Sequence, residues 1–177
     1  VVKLTLQDTA ATGAVTIDAA GLSAANSISY KSTTIAADTV DTITGGAGDD
    51  TMSFYEDTIS ATDVLNGGSG SDTLAIRADG GGLIALTTTS MTKFETLNLT
   101  DDGTARALPV TLTAGFFQGA TGTVSAATTK GVVTLDGSAE TLTAMTITTG
   151  VGNDIITGGS KADTIKSGTG DDVVTGG

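Results

Sequence analysis

The 177-residue sequence has no cysteine, no histidine, no tryptophan and a single proline. Without cysteine there are no disulfides and no thiolate metal sites. Without histidine as well, the usual nucleophilic triads and His/Cys metal centres cannot be built. Aromatic residues make up only 3%. A compact globule of this length would bury more of them, whereas a thin solenoid stacks small aliphatic side chains. Positive charge is also scarce: 8 Lys and Arg against 20 Asp and Glu give a net charge of −12. That balance argues against nucleic acid and anionic membranes as partners. No apolar run approaches the ~18 residues that would indicate a transmembrane helix.

Glycine and threonine are abundant: there are 25 Gly, and Thr is about a fifth of the chain. The glycines are ordered. Thr149–Asp154, Gly158–Asp163 and Ser167–Asp172 are hexapeptide turns recurring every nine residues, each closed by Asp and followed by a triplet such as Ile155-Ile156-Thr157. Six residues make a half-circle turn and three a minimal strand, so two units complete a coil of about 18 residues. Glycine supplies the positive-φ backbone that other residues adopt only at a cost. The middle residue of each triplet, here Ile156, Ile165 and Val174, points inward while its neighbours point outward. Asp154 and Asp172 are eighteen apart and stack on one edge; Asp163 lies on the other.

The pattern also occurs earlier, in two pairs. Gly45-Gly46-Ala47-Gly48-Asp49-Asp50 and Gly67-Gly68-Ser69-Gly70-Ser71-Asp72 are close matches, each preceded by a weaker turn, ending at Asp41 and at Asp63. Asp50 to Asp63 is thirteen rather than nine, so four residues around Phe54–Asp57 bulge out and the order of edges is kept. Asp41 then stacks with Asp63, and Asp50 with Asp72.

Stacked strands sit about 4.8 Å apart. Two carboxylates at that separation repel by roughly 3.5 kcal/mol at an effective dielectric of about 20. A cation between them removes the repulsion. Turn carbonyls with carboxylates make an all-oxygen cage, which suits calcium rather than zinc or copper.

The Gly/Asp nonapeptides resemble those of the RTX family of secreted proteins, and within it the chain looks most like bacterial surface-layer proteins built on RTX-type solenoids. The resemblance implies an all-β parallel solenoid, or β-roll, with calcium held in the turns. Its metal ligands are the motif carboxylates Asp41, Asp50, Asp63, Asp72, Asp154, Asp163 and Asp172. Turn carbonyls join them at Gly45, Gly46, Ala47, Gly48, Gly68, Gly70, Gly150, Gly152, Gly168 and Gly170. Lys161 and Ala162 depart from the motif inside the turn that ends at Asp163. The resemblance further implies export by a type I secretion system and an extracellular or cell-surface location.

The expected organisation is solenoid rungs over 1–35, a roll over 36–76, rungs over 77–147 and a roll over 148–177. The intervening segments read as strands: Val15 and Ile17, Ile28 and Tyr30, Leu97 and Leu99, Val110 and Leu112, and Val133 and Leu135 alternate with polar residues. Leu22–Ala25 and Phe116–Gly119 read as single turns at most. Gly13–Asp18 resembles Gly131–Asp136, 118 residues on, and each leads into nonapeptides, which suggests a longer module. Val1 is not an initiator methionine, and Gly176-Gly177 open another nonapeptide, so the sequence reads as a window on a longer array.

Catalysis is not expected. The motif carboxylates are committed to turns, Gly158-Gly159-Ser160-Lys161 lacks phosphate-loop spacing, and no EF-hand loop occurs. The expected function is structural: a calcium-binding module of a surface-layer or extracellular filament protein that self-associates, with a cell-surface polysaccharide as a second candidate partner. The alternative is the roll of a large RTX adhesin or the C-terminal region of an RTX exoenzyme.

Overall fold

The computed structural model describes residues 2–8, 13–32, 40–79, 86–88 and 90–177. Val1, the beginning of the weak turn that ends at Asp41, and the expected boundary near residue 35 lie outside these. The described residues form seventeen short strands and no helix, and every strand pairing is parallel.

One face of the solenoid is a continuous eight-stranded sheet. Its order is β1 (Lys3–Asp8), β3 (Ser27–Ser32), β5 (Thr51–Tyr55), β7 (Thr73–Ala78), β10 (Thr96–Asp101), β12 (Thr121–Ser125), β14 (Ala144–Thr148) and β16 (Thr164–Lys166). The second face is divided. Its first half holds β2 (Thr16–Asp18), β4 (Thr42–Thr44), β6 (Val64–Asn66) and β9 (Met91–Thr92). Its second half holds β8 (Leu86–Thr87), β11 (Leu108–Thr111), β13 (Val133–Asp136), β15 (Ile155–Thr157) and β17 (Val173–Thr175).

Strand alternation builds the core as columns. On the long sheet Leu6, Tyr30, Met52, Leu74, Leu97, Val124, Ile147 and Ile165 stand in register, one per coil. Opposite them run Ile17, Ile43, Leu65 and Met91, then Val110, Leu135, Ile156 and Val174. The inward residue of every nonapeptide therefore falls in a column. Val174, in β17, is 46% exposed.

The eighteen-residue coil holds only at the C-terminal end, where Thr146 pairs with Thr164 and Ile155 with Val173. Elsewhere the coil is longer: 22 residues from Thr51 to Thr73, and 27 from Thr96 to Thr123. The extra residues lengthen strands and corners without disturbing register, because each inward residue needs only a counterpart one coil away.

The coil between β7 and β10 hands the second face over. It supplies β8 to one half-sheet and β9 to the other. Thr88 and Thr113 clasp this corner: the Thr113 N–H donates to the Thr88 hydroxyl at 2.9 Å, and the Thr113 hydroxyl to the Thr88 carbonyl at 2.8 Å. Beside it the Phe94 and Phe116 rings stack at 5.4 Å, and Phe117 meets Phe116 edge-on at 4.9 Å. All three rings are buried in the core. Leu22–Ala25 holds a turn, as expected, and Asn26 N–H closes it on the Ser23 carbonyl at 2.9 Å. At Phe116–Gly119 the expected turn lies earlier: Phe116 N–H closes it on the Thr113 carbonyl at 3.1 Å, and Phe117 instead forms a parallel bridge with Phe94.

The 118-residue likeness has a structural counterpart. Val15 and Val133 each precede the first nonapeptide strand on their half of the second face, and each donates its N–H to a motif carboxylate, Asp41 and Asp154 respectively, at 2.8 Å.

Candidate metal centre

Each motif aspartate sits at the residue just before a strand, where the turn straightens. Asp41, Asp63, Asp154 and Asp172 precede second-face strands; Asp50, Asp72 and Asp163 precede long-sheet strands. The two edges fall as the spacing predicts.

All seven use Oδ1 in the same way: it accepts a backbone N–H from the coil before. The donors are Val15 to Asp41, Ile28 to Asp50, Asp41 to Asp63, Asp50 to Asp72, Val133 to Asp154, Met145 to Asp163 and Asp154 to Asp172, all at 2.7–2.9 Å. Three of these bonds run from one motif aspartate to the next, so Asp41 stacks on Asp63, Asp50 on Asp72 and Asp154 on Asp172. The carboxylate is thus first a backbone ladder element, tying coil to coil.

Oδ2 divides the set. In Asp50, Asp63 and Asp163 it accepts an N–H of its own turn, from Gly46, Ser60 and Gly159 respectively. In Asp72 and Asp154 it is buried and has no partner, although both residues are wholly inaccessible to solvent. A buried, unpartnered carboxylate oxygen is costly unless a cation lies against it.

The turns themselves stack backbone on backbone. Ser69 N–H donates to the Gly46 carbonyl at 2.9 Å and Thr169 N–H to the Gly150 carbonyl at 3.0 Å. Gly170 shows why the position must be glycine: its φ is +140°, and a Cβ there would lie 1.9 Å from the Gly152 carbonyl oxygen. The stacked turns thus carry rows of carbonyl oxygens in the same coils as the stacked carboxylates. Among the described residues no three acidic side chains converge, so a cage here draws most of its oxygens from turn carbonyls.

The electrostatics agree. Burial pushes the Asp72 carboxyl up to about 6, and the neighbouring Asp50, Glu95 and Asp49 charges add to it against the favourable Asp50 N–H. A bare anion is thus disfavoured at the position where a calcium ion would neutralise it. The donor set of carboxylate and carbonyl oxygen fits calcium.

One ladder member is absent from the nonapeptide pattern. Glu95 takes the place of the motif aspartate in the coil after Asp72: Asp72 N–H donates to its Oε2 at 2.6 Å. Its signal in the sequence is positional. Glu95 directly precedes Thr96-Leu97-Asn98, as Asp72 precedes Thr73-Leu74-Ala75, but the surrounding turn has no glycine.

Residues 40–58, 57–74 and 148–177 match the family model described as the RTX calcium-binding nonapeptide repeat. No curated protein and no solved structure matches the chain. The matched segments are those whose aspartates form the coil-to-coil ladders, and residues 40–74 and 148–177 are RTX calcium-binding nonapeptide repeats.

Proposed function

We propose that this chain is a structural module of a secreted bacterial surface-layer or extracellular filament protein, folding and assembling through calcium held between stacked turns. The carrying observation is the pair of buried, unpartnered oxygens, Asp72 Oδ2 and Asp154 Oδ2, each in a row of carboxylates one coil apart. The ligands in this reading are the seven motif aspartates with the turn carbonyls of residues 45–48, 68, 70, 150, 152, 168 and 170. A continuous sheet that runs unbroken through both nonapeptide and Thr-rich coils supports a load-bearing role rather than a short appendage to an enzyme. The acidic surface favours a setting rich in divalent cations, at the cell exterior. There the module meets further copies of itself, with a cell-surface polysaccharide as a second partner.

Electron microscopy of the full-length parent protein tests the assembly. Ordered sheets or filaments at millimolar calcium, dispersed by chelator, are expected. A monodisperse monomer over a wide concentration range would leave the adhesin or exoenzyme reading in its place.

A further inference from the structure

The nonapeptide rows lie where turns enter strands. A separate acidic ladder lies where long-sheet strands leave for the next turn. Tyr55 pairs with Arg77, and Glu56 N–H donates to the Arg77 carbonyl at 2.9 Å. The same 22-residue step places Asp57 on Asp79. One coil further, Ala78 pairs with Asp101, which puts Asp102 next in line. Asp57 belongs to the four residues by which this coil exceeds the nonapeptide period, so an eighteen-residue coil could not carry this ladder.

The three members differ in how they are satisfied. Asp102 is neutralised within the chain: Arg106 Nη2 reaches its Oδ2 at 3.0 Å and Arg106 Nε its Oδ1 at 3.2 Å, and Thr104 N–H adds a third bond at 3.0 Å. Asp57 and Asp79 have no hydrogen-bonded cation of this kind, although the Arg106 charge is also felt at Asp79. Both oxygens of Asp57 and Oδ1 of Asp79 are closed off from solvent and accept no hydrogen bond. Only Asp72 and Asp154 share that condition among the carboxylates of the described residues, and they belong to the calcium rows. Burial first, then the Asp79 charge, pushes the Asp57 carboxyl up, and the buried Glu56 adds to the negative potential.

We propose that Asp57 and Asp79 form a second kind of calcium site, outside the nonapeptide turns, in which the ion bridges two carboxylates stacked one coil apart. The ion does there what the Arg106 guanidinium does for Asp102 one coil on. The protein donors are carboxylate oxygens, with water completing the roughly six to eight ligands of a calcium shell, and two stacked acids call for a divalent, oxygen-seeking cation. The site clamps the exits of β5 and β7, while the nonapeptide row at Asp50 and Asp72 clamps their entries.

The chain has two tyrosines and no tryptophan, and this makes the test specific. Tyr55 is two residues from Asp57, whereas Tyr30 feels the charges of Asp41 and Asp63 in a nonapeptide row. Terbium luminescence excited through tyrosine, competed with calcium, therefore reports both places. Asp57→Asn with Asp79→Asn should bind one calcium fewer per chain by calorimetry and lose the Tyr55-sensitised emission, while keeping wild-type circular dichroism in saturating calcium. Tyr55→Phe leaves the acids in place, so it should lose the same emission with unchanged calcium stoichiometry. That variant keeps the test decisive if the double variant fails to fold. Unchanged stoichiometry in a folded double variant, or unchanged emission in Tyr55→Phe, overturns the proposal. In either case calcium binding by the wild type and its loss in Asp154→Asn would leave the nonapeptide sites standing.

Discussion

At the scale of single residues, the motif aspartate has two separable tasks. Oδ1 ties its coil to the previous one through a backbone N–H, and Oδ2 is the atom an ion must satisfy at Asp72 and Asp154. A pH dependence follows. The carboxyl of Asp72 is raised in the fold to about 6, above the ordinary 3.8. Its protonated form therefore favours the folded state. That contribution is full below about pH 4 and is lost as pH rises through about 6. In chelator, acidification from pH 7 towards 4 should restore part of the β-signal in circular dichroism, and Asp72→Asn should flatten the change. With calcium the sign reverses, because the ion needs the carboxylate, so less calcium is required as pH rises through 6. An unaltered pH response in Asp72→Asn would remove Asp72 from this role.

At the scale of elements, coupling should follow the ladders rather than sequence distance. Asp154 and Asp172 are joined by a hydrogen bond across one coil, while Asp163, midway in sequence, stands on the other sheet. Double-mutant cycles on calcium-loaded protein should give Asp154→Asn and Asp172→Asn a coupling of about 0.5–3 kcal/mol. Asp154→Asn with Asp163→Asn should add to within roughly 0.5 kcal/mol. Coupling of Asp154 to Asp163 alone would contradict the observed coil. Much of this was legible in the sequence, because turn and strand residues repeat at fixed offsets: Ile43, Met52, Leu65, Leu74 and Ile156 all landed in core columns. The hand-over between half-sheets at β8 and β9 was not legible. It depends on the Thr88–Thr113 clasp and the Phe94, Phe116 and Phe117 cluster, contacts between residues up to 25 apart that no short-range period records. Glu95 escaped for a related reason: its position was correct, but no glycine turn marked it.

At the scale of the whole molecule, the solenoid is quasi-one-dimensional, and each coil is stabilised chiefly by its neighbours. Aromatic and disulfide reinforcement is sparse or absent, and the carboxylate rows oppose stacking until they are neutralised. Calcium then acts as the staple along the axis, and metal binding and folding become one equilibrium. Extracellular sites of this kind typically bind at about 10⁻⁴–10⁻³ M. The chain should accordingly be loosely ordered at calcium well below that range and ordered within it, as the proposed secretion would require. The most direct test is far-UV circular dichroism of this chain, titrated with calcium from chelator to millimolar concentrations. The β-signal should rise cooperatively towards the millimolar range and fall again on chelation. A β-signal already complete in chelator and unchanged by calcium would contradict the account.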